Sequence, residues 1–265
     1  MSEQLNVNPL LGRLRIPGET FRLPSQGQFY TNGELDESVK NGEVEVNPMT
    51  AIDEIVLSTP DKLLSGKAII EIFTNCIPQI KKPADLLAKD VDYLLVCLRM
   101  VTFGTTMELT YKHDCEKAKE HEYKIDVQQM LRDSKQIDPT TIETSYKTTL
   151  KNGQVVRLKP LTYGRVVELN STIGMTRTDD LSQEEAELLI ISALASVIES
   201  VDGITDYALI REWVTELPLG WKRDLERATH NLNSWGIDFN TTQKCKDCGE
   251  KLEVQVSPNP VSFFI

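Results

Sequence analysis

The chain has 265 residues, of which 40% are hydrophobic and 26% are charged, so it can bury an ordinary core in one or two domains. Its formal net charge of -11 disfavours binding to nucleic-acid phosphates and favours protein partners. Five cysteines without a regular framework indicate a reducing compartment rather than a disulfide scaffold. We expect neither a secretory signal nor a membrane span, because the N-terminus has no basic, apolar leader and no apolar run reaches about 18 residues.

Residues 1–50 are predicted to form an extended arm that carries one short strand. Prolines and glycines interrupt the first 35 residues too often for a helix. Within the arm, Leu23 to Tyr30 (LPSQGQFY) places a turn between apolar residues, and Glu43 to Val46 alternates in the manner of a strand.

Residues 51–104 are predicted to be a helical block. Thr50 can cap the first helix, with Asp53 completing a capping box. The clearest apolar face of the block recurs at helical spacing between Pro83 and Val101, which predicts one helix over that range.

Residues 105–160 are predicted to form two β-hairpins. The strands of the first, Met107 to Tyr111 and Glu122 to Val127, flank Cys115. The strands of the second, Thr144 to Thr149 and Gln154 to Leu158, are joined through Asn152-Gly153, a strong hairpin signal.

Residues 161–235 are predicted to be a second helical block, followed by a hairpin over 236–257 and a tail over 258–265. The clearest helix runs from Ser182 to Val201, opens with a capping box and is apolar on most sides, so we expect it to be largely buried. The last helix is expected to run from Trp221 to Trp235.

The strongest chemical signal is Cys245-Lys246-Asp247-Cys248-Gly249, which lies between two predicted strands. Two thiolates three residues apart on a tight turn form half of a tetrahedral zinc site. Cys115, in the turn of the earlier hairpin, is the expected third ligand. Ala118 stands where a second cysteine would complete that turn, so a histidine must supply the fourth ligand. We prefer His121, which would face Cys115 across the hairpin.

Two alternatives to this ligand set remain open. His113, two residues before Cys115 on a strand, is the rival fourth ligand. The hairpins could also form a ribbon that has lost its metal and kept Cys245 and Cys248 as neighbouring thiols. A redox pair is disfavoured, because reactive cysteines usually lie at a helix N-terminus. A closed set of four ligands would make zinc structural, and the sequence shows no catalytic constellation, so neither an enzyme nor a small-molecule substrate is expected.

The order of several short motifs resembles one family. These motifs are Leu23 to Tyr30, Gly42 to Thr50, Asp53-Glu54, Asp92-Tyr93-Leu94-Leu95, Leu98-Arg99, Phe103-Gly104, the two cysteine-bearing hairpins and Phe263-Phe264. Together they resemble the T4-type tailed-phage baseplate proteins, whose members are hub components or hub assembly factors. The resemblance implies a non-enzymatic protein that contacts other baseplate and tail hub proteins. It would act in the cytoplasm of the infected bacterium during assembly, or in the baseplate of the virion.

The expected architecture is therefore α+β, a helical body with short β-hairpins and a split zinc-ribbon-like pair of hairpins, 105–127 with 236–256. We expect the arm and the tail to contact partners or to fold back onto the body. The aromatic candidates for these contacts are Phe21, Phe29, Tyr30, Phe263 and Phe264, followed by Ile265.

Two other function classes remain open. A zinc-ribbon nucleic-acid adaptor would need a basic face, for which the ribbon supplies three lysines offset by three acidic residues: Lys244, Lys246 and Lys251 against Asp247, Glu250 and Glu253. A hydrolase would need a deep pocket lined by acidic residues or histidines.

Overall fold

The computed structural model describes residues 16–115, 119–175, 182–230, 232, 234–257 and 263–264. The fold over these residues is α+β, as the sequence predicts, with ten helices and four small antiparallel sheets. The first 15 residues of the predicted arm and most of the predicted tail lie outside the described residues, as does Ala118. No described helix is both long and apolar enough to cross a membrane.

The helices alternate with short strands along the whole chain. The helices are α1 Ala51–Leu57, α2 Pro60–Leu64, α3 Lys67–Cys76, α4 Ala88–Phe103, α5 Val127–Arg132, α6 Ile142–Ser145, α7 Tyr163–Met175, α8 Gln183–Ser196, α9 Tyr207–Thr215 and α10 Leu219–His230. The strands are β1 Glu19–Arg22, β2 Glu43–Val46, β3 Thr106–Lys112, β4 Glu120–Asp126, β5 Lys147–Thr149, β6 Val155–Leu158, β7 Ile198–Val201, β8 Asn240–Lys244 and β9 Lys251–Gln255. The sheets are β1-β2, β3-β4, β5-β6-β7 and β8-β9.

Local signals placed several helix starts correctly. Thr50 caps α1, and the Asp53 carboxylate accepts a hydrogen bond from the Thr50 backbone N–H at 2.8 Å. Ser182 caps α8 in the same way, with its N–H 2.9 Å from a Glu185 carboxylate oxygen. Both predicted capping boxes are therefore confirmed. The sequence reveals such boxes directly, because they depend only on residues three positions apart.

The single helix predicted from Pro83 to Val101 is wrong in its first turns. Pro83–Asp85 forms a short 3₁₀ turn, and α4 begins only at Ala88. Leu87 is extended because its N–H donates to the Tyr30 hydroxyl, and it forms a β-bridge with Thr162. These contacts come from distant parts of the chain, so helical periodicity could not reveal the break.

The helix predicted from Ser182 to Val201 is also wrong, in both its end and its burial. α8 ends at Ser196, and Ile198–Val201 forms β7, which pairs with β6. β-Branched residues suit such a strand, and an available sheet edge overrides the helical pattern. The middle of α8 is not largely buried, since Leu188 and Ile190 are 43% and 45% exposed.

The last helix is shorter than predicted. α10 ends at His230 rather than Trp235. Trp235 is buried, and its indole N–H donates to the Tyr146 hydroxyl at 3.0 Å. β5 begins at Lys147 rather than Thr144, because Ile142–Ser145 forms α6. The turn between β5 and β6 is confirmed, with Gly153 at a φ of 89° that favours glycine.

The body contains two large apolar cores. The first surrounds α3 and α4 and includes Phe73 and Leu94, both fully buried. The second lies between the β5-β6-β7 sheet and the helices of the second half, and it includes Leu158 and Leu225. The Tyr30 side chain is partly buried and packs against both cores.

The LPSQGQFY turn joins the two cores through a buried carboxylate. The Tyr30 hydroxyl donates to Asp90 at 2.6 Å, and the Ser25 N–H donates to the other carboxylate oxygen at 3.0 Å. Phe29 packs against Tyr146 in the second core, with ring centroids 5.1 Å apart. Asp90 is fully buried, and this burial raises its pKa to about 6.

Replacing Tyr30 by Phe should destabilise the protein by about 2 kcal/mol at pH 7, because it removes a hydrogen bond to a buried carboxylate and leaves the Leu87 N–H without its acceptor. The folded pKa of Asp90 lies above the ordinary value of 3.8, so ionisation of Asp90 has its full cost in stability above pH 6, and this cost shrinks as pH falls from 6 toward 3.8. The loss should therefore be smaller at pH 5.

Urea unfolding of the wild type and the variant at both pH values measures this difference. Tyr111→Phe, in an exposed position of β3, is the matched control and should change the free energy of unfolding little. An equal loss for Tyr30→Phe at pH 7 and pH 5 would show that Asp90 does not titrate in this range.

The two described residues of the tail, Phe263 and Phe264, pack into the body. Phe263 and Phe264 are 2% and 7% exposed, lie in the first core and contact each other edge to face at 5.5 Å. Phe21 and Tyr30 also pack against that core, and Phe29 packs against the second. The expectation of partner contacts is therefore corrected for Phe263 and Phe264, which the chain's own core covers, whereas Phe21, Phe29 and Tyr30 are only partly buried.

Candidate metal centre

Two hairpins far apart in the sequence pack against each other. The β3-β4 and β8-β9 hairpins share a small third core that includes Tyr123, Leu252 and Val254. Strand alternation directs these residues inward, since Leu252 and Val254 are buried while their neighbours on β9 are exposed. The result is the split ribbon that the sequence predicts, and the turns of the two hairpins meet at one end.

The Cys245–Cys248 turn holds its sulfur atoms through the backbone. The Cys245 N–H donates to the Glu250 carbonyl at 2.8 Å, and the Gly249 N–H donates to the Cys245 carbonyl at 2.9 Å. Gly249 has a φ of 76°, which a residue with a side chain rarely adopts. The backbone N–H groups of Cys248 and Asp247 donate to the Cys245 sulfur and lower the pKa of this thiol to about 6. The turn is thus built to carry a thiolate.

Four donor side chains converge at this end of the ribbon. The ligand atoms of His113, Cys115, Cys245 and Cys248 all lie within 4.8 Å of one another. The Cys248 sulfur is 3.5 Å from Nδ1 of His113, and the Cys115 N–H donates to the His113 carbonyl at 3.0 Å. Three of the four residues that the sequence favoured as ligands are therefore together, and the fourth place is taken by the rival histidine.

His121 makes a different contact. Its Nε2 is 2.8 Å from a carboxylate oxygen of Asp247, so it links the two hairpins beside the cluster instead of joining it. His121 lies within β4, opposite Tyr111 in the register, whereas His113 lies beyond the end of β3 and next to Cys115. The position of the turn therefore places His113, not His121, beside the sulfur atoms.

The surroundings of His113 suit a metal ligand. Its Nδ1 faces the sulfur atoms, and its Nε2 faces the Glu250 carboxylate at 3.9 Å. A carboxylate on the far side of the ring favours the tautomer that keeps the lone pair on the near nitrogen. Glu250 thus stands where such an orienting group is needed.

The donor set fits zinc. Zn–S bonds of about 2.3 Å in a tetrahedron place sulfur atoms about 3.8 Å apart, so a small contraction of the 4.8 Å cluster would accommodate the ion. Three sulfurs and one nitrogen are soft ligands that select zinc over magnesium or calcium. Four protein ligands leave no open position, so such an ion would supply structure rather than catalysis.

Comparison with known proteins yields one match. No curated protein and no solved structure matches this chain. The profile of the family described as "T4 bacteriophage base plate protein" matches residues 20–265. This range includes both hairpins of the candidate metal centre, both large cores and Phe263-Phe264. Because the match covers nearly the whole length, the chain belongs to the T4 bacteriophage base plate protein family.

Proposed function

We propose that this protein is a non-enzymatic component of the baseplate hub of a tailed phage, or a factor that assembles the hub, and that it acts through protein-protein contacts. The family match over residues 20–265 carries this proposal. Proteins of a baseplate work by contacting other tail and baseplate proteins, so the partners are expected among these. The place of action would be the host cytoplasm during assembly, and then the virion baseplate if the protein is retained.

The outer surface of the helical body supports a role in protein contacts. Ile52 and Ile55 on α1 are 68% and 66% exposed, and Leu64 on α2 is 82% exposed. In the second half, Leu219 at the start of α10 is 61% exposed. Large exposed aliphatic side chains of this kind are common at protein interfaces. They replace the buried Phe263 and Phe264 as candidate contacts, beside the partly buried aromatic side chains of the arm.

We further propose that a structural zinc ion joins the two hairpins. Its ligands would be His113, Cys115, Cys245 and Cys248, with His121 and Asp247 forming a separate link beside it. The ion would connect the middle of the chain to its end. A rigid connection of this kind suits a protein that must present a fixed surface to its neighbours.

The proposed function is tested with a phage that carries a stop codon in this gene. We expect infected cells to accumulate tail proteins without complete baseplates, and a plasmid copy of the wild-type gene to restore them. Mass spectrometry of purified wild-type virions then separates the two roles. Peptides of this protein in the particle support a hub component, and their absence supports an assembly factor. Normal baseplates in the mutant infection would refute both.

A further inference from the structure

The two ribbon hairpins enclose a cleft of about 640 Å³ on the side where β4 and β8 face each other. Its volume falls within the range of ligand-binding pockets. The cleft is lined by parts of both hairpins: Glu108, Glu122, Tyr123, Lys124, Thr242, Gln243, Lys244, Lys246 and Lys251. The lining contains four lysines and two glutamates, so it is basic in a chain with a net charge of -11.

The hydrogen-bond pattern of the β8-β9 hairpin leaves one strand edge open toward this cleft. The Cys245 N–H bonds to Glu250, and the Val256 N–H bonds to Phe239. In an antiparallel pair, hydrogen-bonded positions alternate with positions whose N–H and C=O groups point away from the partner strand. The register then directs the backbone groups of Thr242 and Lys244 outward from β8. Both residues line the cleft.

The facing edge of β4 is already partly covered. The Val127 N–H bonds to Thr105, so the same alternation directs the backbone of Glu122 outward. The ammonium group of Lys246 donates to the Glu122 carbonyl oxygen. The two strand edges therefore differ. On β4, the Glu122 carbonyl oxygen is already bonded to Lys246 of the same chain. The outer edge of β8 is the one available to another strand.

The charges around the β8 edge are not balanced within the described residues. Lys244 and Lys251 lie directly opposite each other at a position without backbone hydrogen bonds, where side chains come closest. Like charges in this arrangement are destabilising. Neither lysine forms an ion pair with a described carboxylate, whereas Lys124 is 3.8 Å from Glu108. A carboxylate from a partner would relieve the repulsion.

We propose that this cleft binds an extended acidic segment of a partner protein, which adds to the outer edge of β8. Backbone groups of the segment would hydrogen-bond to Thr242 and Lys244, and its carboxylates would lie between Lys244 and Lys251. Strand addition of this kind draws affinity from the main chain and specificity from alternate side chains. A protein segment is favoured over nucleic acid, because the outward N–H and C=O groups of β8 can pair with the backbone of another strand, which a nucleic acid does not offer.

The inference deepens the proposed role in assembly and rests on it only for the identity of the partner as a baseplate protein.

The probe is a synthetic hexapeptide of alternating Val and Glu, blocked at both ends and labelled for fluorescence anisotropy. We expect it to bind the full-length protein at least about tenfold more tightly than the matching Val and Lys peptide. Binding should weaken as salt rises, because surface charges are screened.

Two matched proline variants test the edge itself. Thr242→Pro removes the outward N–H of β8 without removing a β8-β9 ladder bond, as proline is tolerated at an outward edge position. It should weaken peptide binding at least about tenfold. Glu253→Pro makes the same change at the opposite position of the register, on the far edge, and should leave binding within about twofold. Lys244→Glu combined with Lys251→Glu should reverse the preference between the two peptides.

Amide hydrogen exchange provides an independent readout. Peptide binding should protect the N–H groups of Thr242 and Lys244, and not that of Glu253. Equal effects of the two proline variants, no preference for the acidic peptide, or tighter binding of a labelled single-stranded oligonucleotide would each overturn the inference. These outcomes are distinct from failure of the proposed function. A protein that restores baseplates without binding the peptide refutes only the inference, and a protein that binds it but is dispensable for baseplates refutes only the function.

Discussion

Replacing Cys245 by Ser is expected to abolish metal binding and to unfold the ribbon. Wild-type protein purified without chelator should contain about one zinc per chain, and the variant close to none. The Cys245 side chain is buried and belongs to the four-donor cluster, and its loss leaves too few sulfur ligands to hold the ion. Zinc binding in small ribbons contributes on the order of 10 kcal/mol to folding, so the ribbon should lose its structure with the ion.

Metal analysis by mass spectrometry, with amide hydrogen exchange over 105–127 and 236–257, measures both effects. The second core should stay protected, because none of its described residues comes from these ranges. The first core should lose protection only where the ribbon residues enter it, at Met107, Ile125, Val127, Ile237 and Val256. Comparison of two alanine variants, one at each candidate histidine, identifies the fourth ligand. His113→Ala should lose most of the zinc, and His121→Ala should retain it, since His121 contacts Asp247 instead. The reverse result would restore His121 as the ligand, and a wild-type protein without zinc would refute the metal site.

Replacing Phe263 by Ala is expected to destabilise the body by about 3–5 kcal/mol, the usual loss for a buried Phe truncated to Ala. The side chain is 2% exposed and lies in the first core beside Phe264. Because Phe263 and Phe264 belong to that core, we expect deletion of 258–265 to destabilise the body as well.

Urea unfolding followed by tryptophan fluorescence measures the loss. Phe103→Ala is the matched control, because Phe103 is 52% exposed and the Arg99 guanidinium lies over its ring, 4.7 Å from the centroid. This variant should lose less than about 1 kcal/mol. A Phe263→Ala variant as stable as the control, yet unable to associate with baseplate proteins, would show that the tail is an interface after all.

Much of the fold follows from signals that act over a few residues. The capping boxes at Thr50 and Ser182 start their helices as predicted, and Asn152-Gly153 forms its turn. Such features need only neighbours three or four positions away, so the sequence displays them directly. The failures arise where a distant segment competes. Leu87 leaves the predicted helix to bond with Tyr30, and Ile198–Val201 leaves another to pair with β6.

The candidate metal centre divides in the same way. The sequence by itself determined the Cys245–Cys248 turn, because its sulfur positions depend on a short segment and the glycine after it. It also indicated Cys115 as the third ligand. Only the tertiary structure placed His113 rather than His121 beside the sulfur atoms, because His113 and Cys248 are separated by 135 positions and meet through the packing of two hairpins. The burial of Phe263-Phe264 was likewise decided by packing, since an apolar tail has the same sequence whether it covers its own core or a partner's surface.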